Sequence, residues 1–198
     1  MTIVSLILGI IGVLGVIGTF YYGIKSKQLL KSKNRYSWTD IHEACRELGV
    51  YIKRKIKPDI ILCFSGPSGI VTNLIVESTN YFIPVYTITL KKIGKGKQIQ
   101  NDLPGLTTVT TSRWRLYLPD NLSNMLIKKI CIIDDAVISG DSINSIKESL
   151  VQVGFKKENI WTCSIICTTV AQLAKKCPDK YIYLTDQTSF YMPWGKGY

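Results

Sequence analysis

The run Ile130-Cys131-Ile132-Ile133-Asp134-Asp135-Ala136-Val137-Ile138-Ser139-Gly140-Asp141-Ser142 restricts the fold more than any other stretch of the chain. Its first four residues are apolar and mostly β-branched, so they read as a buried strand. Two adjacent carboxylates close that strand, and a Ser-Gly-Asp-Ser loop follows. Ile143, Ile146 and Leu150 then recur at helical spacing. A buried strand that feeds a helix through a short loop is an α/β element. The loop amides and the helix start can hold a phosphate group. The acidic pair can bind hydroxyls, or water on a magnesium ion.

A second unit of the same kind lies upstream. Ser37 can cap a helix over 38–55, whose stripe is Ile41, Cys45, Leu48, Ile52 and Ile56. Pro58 ends it. Residues 59–64 predict a strand, Ser65-Gly66-Pro67-Ser68-Gly69 a second anion-suited loop, and Ile70, Leu74 and Ile75 the helix after it. Further strands are expected at 84–90, 113–118, 160–168 and 181–184, with a short helix or turn at 171–176. Residues 94–112 lack helical periodicity and predict a long loop, either functional or disordered. The tail from Asp186 to Gly195 is aromatic and irregular.

The N-terminus has a different character. Residues 3–24 contain no charged side chain; as a helix they would span about 33 Å, enough for a bilayer core. No basic segment precedes them and no small-residue cleavage site follows, so a retained anchor is expected rather than a signal peptide. Lys25, Lys27, Lys31, Lys33 and Arg35 come next, which predicts a single-pass membrane protein with its C-terminal part in the cytoplasm. The domain plan is therefore a transmembrane helix at 1–24, a basic linker at 25–36 and one domain at 37–198. Lys and Arg number 25 against 14 acids, a net +11, which favours anionic partners. Much of that charge sits beside the apolar segment, so lipid accounts for it more simply than nucleic acid. The six cysteines form no Cys-x-x-Cys pair, and Cys131 and Cys163 fall within apolar runs, which implies reduced, buried thiols. His42 is the only histidine, so neither a histidine metal site nor a triad is expected.

The 130–142 run resembles the phosphoribosyl-pyrophosphate (PRPP) motif of type I phosphoribosyltransferases: an apolar strand, two acids, three residues, Ser/Thr-Gly, one residue, Ser/Thr. The order of a Tyr-Ser-Trp helix, a Pro-Asp strand and a Ser-Gly loop is similar to the xanthine–guanine branch. The resemblance implies an α/β domain with a central, mostly parallel sheet flanked by helices and a small C-terminal hood, here preceded by the transmembrane helix. It implies transfer of phosphoribosyl from PRPP to a base, a purine first, with Mg²⁺ and release of pyrophosphate; homo-oligomers are compatible with it. Asp134 and Asp135 would be the catalytic and metal-facing acids. Together with Ala136, Val137, Ile138, Ser139, Gly140, Asp141 and Ser142 they would bind PRPP. Ser65, Gly66, Pro67, Ser68, Gly69, Lys91 and Arg113 would face pyrophosphate. Ile138, Phe190, Tyr191 and Trp194 would face the base. The chain departs from the family at four places, one of them Asp141, which puts an anion in the phosphate loop. Ile138 stands where purine enzymes carry an acid acting as general base. Gly66 stands where the branch carries an arginine. No lysine occurs in 160–168, and Thr168 or Thr169 falls near its place. These departures keep open a second reading, a non-catalytic domain that senses PRPP or a nucleotide and signals through its membrane helix.

Overall fold

The computed structural model describes residues 35–93, 104–111, 113–126, 128–186 and 188–197. The apolar segment 3–24, most of the basic linker and residues 94–103 lie outside that set. Among the described residues no helix is long and apolar enough to cross a membrane.

The elements are α1 (Trp38–Tyr51), β1 (Ile60–Phe64), α2 (Pro67–Thr79), β2 (Val85–Lys92), β3 (Leu106–Thr110), β4 (Trp114–Pro119), β5 (Ile130–Val137), α3 (Asp141–Val153), β6 (Ile160–Thr168), α4 (Thr169–Leu173), β7 (Lys180–Thr185), β8 (Phe190–Met192) and β9 (Gly195–Gly197). Seven strands form one sheet in the order β3-β4-β2-β1-β5-β6-β7. β2, β1, β5, β6 and β7 are mutually parallel, whereas β4 runs antiparallel to β2 and β3 antiparallel to β4. β8 and β9 form a separate hairpin. It is tied to the start of the domain by a bridge between Arg35 and Tyr191.

Alternation along the central strands gives the sheet two buried faces. Ile61, Cys131, Ile133, Cys163 and Ile165 pack with Ile41, Leu48, Val71 and Ile75 of α1 and α2. Ile60, Leu62, Ile130, Ile132 and Ile160 pack with Ile146 and Leu150 of α3 on the other side. Strands covered by helices on both faces read as unbroken apolar runs, as 130–133 does; 160–167 is apolar but for the buried Thr162 and Ser164. Five of the six cysteine side chains are buried, and Cys177 is half-buried.

Four sequence expectations shift. The helix over 38–55 is α-helical only to Tyr51; Ile52–Ile56 form a π-helical turn that ends at Lys57, in the left-handed region. Residues Pro67 to Gly69 are not loop but the first turn of α2, because proline at that position loses no helical hydrogen bond. The acidic pair does not close β5, which continues to Val137 and carries both carboxylates inside the sheet. The span 94–112 is not structureless throughout, since Leu106–Thr110 is strand β3, paired with Thr108 opposite Tyr117.

Candidate active site

Chain order puts the site between β1 and β5. From β1 the chain moves to β2 on one side; β5 returns on the other side of β1. Open α/β sheets bind ligands at such a reversal, beyond the carboxyl ends of the strands. A cavity of about 430 Å³ lies there, lined by Phe64, Ser65, Pro67 and Ser68 from the first unit, Leu90 and Trp114 from the antiparallel side, and residues 134–140, Ser142 and Ile143 from the second.

Both helices that open onto the cavity start from a glycine. α2 follows Gly66 (φ 86°, ψ −130°) and α3 follows Gly140 (φ 76°, ψ 0°), and neither is capped by a side chain. By contrast, α1 has a full capping box in which Ser37 and Asp40 satisfy each other's amides, and Thr168 caps α4. The helix starts without a capping side chain at the cap residue are the two that face the cavity, although the Asp141 amide donates to Ser139 Oγ at 3.3 Å, and free amides at such starts attract anions.

The carboxylates are held by a residue whose role was invisible in the sequence. Ser68 Oγ donates to Asp134 Oδ1 at 2.7 Å and lies 3.1 Å from Asp135 Oδ1. The Asp135 amide also donates to Asp134 Oδ1 at 3.0 Å. Ser68 is only 2% exposed, so its side chain serves the acidic pair rather than standing in an open loop; Ser65 is the exposed serine of that turn. Burial, and then the charge of Asp135, push the Asp134 carboxyl well above the usual carboxylate range. Burial also raises Asp135, against hydrogen bonds from its neighbours, among them Trp194. The two adjacent acids, Asp135 buried and Asp134 half-buried at the cavity, would be relieved by a proton or a cation. Ser68→Ala is expected to destabilise the protein by roughly 1–3 kcal/mol at neutral pH, since a buried acceptor loses its donor. Urea titration would show it, and the loss should shrink as pH falls and the carboxyls protonate.

The remaining candidates divide. Ile138 lines the cavity, and its carbonyl accepts from Thr168 Oγ1 at 2.6 Å. The Thr168 hydroxyl is thereby committed to backbone and is buried. Lys91 points to the face of β2 opposite Leu90 and sits over the Tyr117 ring at 5.5 Å, outside the cavity lining. Arg113 lies 4.0 Å from Asp141 Oδ2, which puts it beside the 139–142 loop. Phe190 is fully buried against Tyr36 and is not available to stack on a base. The reason is strand alternation: Phe190 and Met192 face the core, while Tyr191 points outward beneath the Arg35 guanidinium. Trp194 packs edge-on against Trp38 at 5.9 Å, and its indole is the smallest of the influences that hold the Asp135 carboxyl down. Trp114, expected only as a strand residue, also lines the cavity; its buried indole N–H has no partner among the described residues.

Among the described residues no three His, Cys, Asp or Glu side chains converge on one point. Asp134 and Asp135 nevertheless suit Mg²⁺, a hard cation that takes one or two carboxylates and completes its shell with water and ligand phosphate. A cation there would offset the buried charge.

No protein-family model matches the sequence, and no curated protein matches it. Solved structures do match. A purine phosphoribosyltransferase from Pyrococcus horikoshii superposes with a TM-score of 0.57 at 18% identity, over 82% of this chain and 94% of that one. A hypothetical protein from Neisseria gonorrhoeae with bound ppGpp gives a TM-score of 0.57 at 17% identity, over 82% and 89%. A hypoxanthine phosphoribosyltransferase from Staphylococcus aureus gives 0.59 at 14% identity, over 81% and 80%. With its acid-bearing strand, two glycine-started helices and mostly parallel sheet, the chain has the fold of the type I phosphoribosyltransferases.

Proposed function

We propose that this protein is a phosphoribosyltransferase that binds PRPP with Mg²⁺ and transfers the phosphoribosyl group to a base, purines being the first class to test. One observation carries the reading: the acidic pair and Ser139, Gly140 and Ser142 line a single cavity together with the start of α2. Those parts match a sugar bearing phosphate at two ends. The 139–142 loop would take the 5′-phosphate, the carboxylates the ribose hydroxyls, and the 65–69 turn the pyrophosphate. Magnesium would neutralise pyrophosphate charge. The chain's own part is placement and charge stabilisation around a cationic sugar. Residues 3–24 and the basic run after them support a membrane-held domain on the cytoplasmic side.

A second reading is a domain that binds PRPP or a nucleotide without turning it over. It is favoured by Ile138, which puts an alkyl side chain where a general base would act, and by the Neisseria gonorrhoeae structure with bound ppGpp. Full-length protein mixed with PRPP, Mg²⁺ and a panel of bases should release pyrophosphate with at least one base, and Asp134→Asn should stop it. Binding of PRPP or a guanine nucleotide without release would instead establish the second reading. Failure to bind any of them would sink both.

A further inference from the structure

Asp141 puts a carboxylate inside a loop built for phosphate, at the first turn of α3. Its charge is answered by Lys176, whose Nζ donates to Asp141 Oδ1, and more distantly by Arg113 at 4.0 Å from Oδ2. Neither cation comes from the loop itself. Lys176 lies in the connection between α4 and β7, and three contacts hold that connection in place. Its own amide donates to the Ala171 carbonyl at 2.9 Å. Its carbonyl and Cβ press against Gly140 so closely that a Cβ there would sit 2.2 Å from Lys176 O. The Cys177 thiol next to it lies 3.3 Å from Cys167 Sγ. An ordinary surface ion pair contributes little because both side chains must be immobilised to form it. Here the backbone beneath the lysine is already fixed against the loop. The Lys176 bond in turn holds the Asp141 carboxyl below its usual range.

We propose that Lys176 is a specificity-determining residue of the phosphate loop: it supplies the loop's positive charge, and Asp141 holds that charge in place and partly cancels it. The ligand class is a phosphate monoester on a sugar, so the inference rests on the PRPP reading of the same cavity. The pair makes the loop close to neutral without a ligand. An entering phosphate dianion competes with Asp141 for the ammonium.

The test is calorimetric titration of full-length wild type and three variants with ribose 5-phosphate, which isolates this end of the site, and with PRPP and Mg²⁺. Lys176→Met should weaken ribose 5-phosphate binding by about tenfold, since it leaves an uncompensated acid between Gly140 and Ser142, two residues that line the cavity. Asp141→Asn should tighten it by about threefold by freeing the ammonium. The double variant should return to within about threefold of wild type if the two charges offset each other. Both single effects should shrink at high salt. A double variant as weak as Lys176→Met, or an Asp141→Asn that binds no tighter, would show that Lys176 only props the loop and would overturn the proposal. Wild type that binds PRPP normally, with all three variants unchanged, would overturn it too while leaving the PRPP reading intact. Wild type that binds neither compound would take down both. Thermal melting of each variant separates lost binding from lost folding.

Discussion

Asp134→Asn is expected to make the ligand-free protein more stable and to weaken strongly its Mg²⁺-dependent binding of PRPP. The two effects have one cause. Asp134 and Asp135 are adjacent, half-buried and buried respectively, and both raised in pKa. Asparagine keeps the Oδ1 acceptor that Ser68 and the Asp135 amide use, so it removes the charge and little else. The relief should be roughly 1–3 kcal/mol, the usual scale for a poorly satisfied buried polar group. For a chain of this size that corresponds to roughly 2–10 °C in melting temperature. The pH dependence follows from the direction of the shifts. Acids whose folded-state pKa lies above the unfolded value bind protons more tightly in the folded state. Their stabilising contribution is complete below the ordinary carboxylate value of 3.8. It is lost as pH rises through the raised folded values. The advantage of the variant over wild type should therefore grow from acid to neutral pH. Asp141, lowered by Lys176, acts in the opposite direction. It is common to both proteins, so comparison at equal pH cancels it. PRPP affinity should fall on the order of 100-fold, about 2.7 kcal/mol. A variant that melts lower than wild type at pH 7, or that binds PRPP unchanged, would contradict this account.

Gly140→Ala should be the most damaging single-methyl change in the site. Its φ of 76° already disfavours a side chain, and the new Cβ would lie 2.2 Å from Lys176 O and 2.4 Å from Lys176 Cβ. Neither neighbour is the free end of a side chain, so the α4–β7 connection must move. Left-handed strain and overpacking together should cost roughly 2–5 kcal/mol. Gly66→Ala is the matched control. Gly66 also has positive φ, 86°, but nothing lies within 4 Å of the place its new methyl would take. It should lose only the dihedral part, roughly 1–3 kcal/mol. Chemical denaturation of the two variants side by side checks the ordering, and equal losses would remove the collision from the explanation.

Those two glycines also show how far the sequence could be read. Ser-Gly loops between an apolar strand and a helix were visible at both places, because strand, turn and helix each leave a local pattern. β6, expected at 160–168, forms over Ile160–Thr168. β3 went unread although Thr107, Thr108, Val109 and Thr110 are β-branched. Its strand character depends on β4 as a partner, and a Gly- and Lys-rich stretch before it hid the pattern. The phase of the tail could not be read either. Phe190 and Tyr191 are both aromatic, and only the docking of the hairpin beside Arg35 and Tyr36 sets which one faces the core.

The local code of this chain thus sufficed for its α/β class, for the acidic pair and for the two glycine-bearing turns that start α2 and α3, since backbone geometry and burial patterns are written over a few consecutive residues. The partners of those groups were not legible in it. Ser68 reaches acids 66 and 67 positions away, Lys176 reaches an acid 35 positions away, and Trp194 reaches Asp135 from the tail. Such contacts exist because sheet order sets β1 beside β5 and the tertiary fold returns later segments to them, and no spacing along the sequence encodes that meeting.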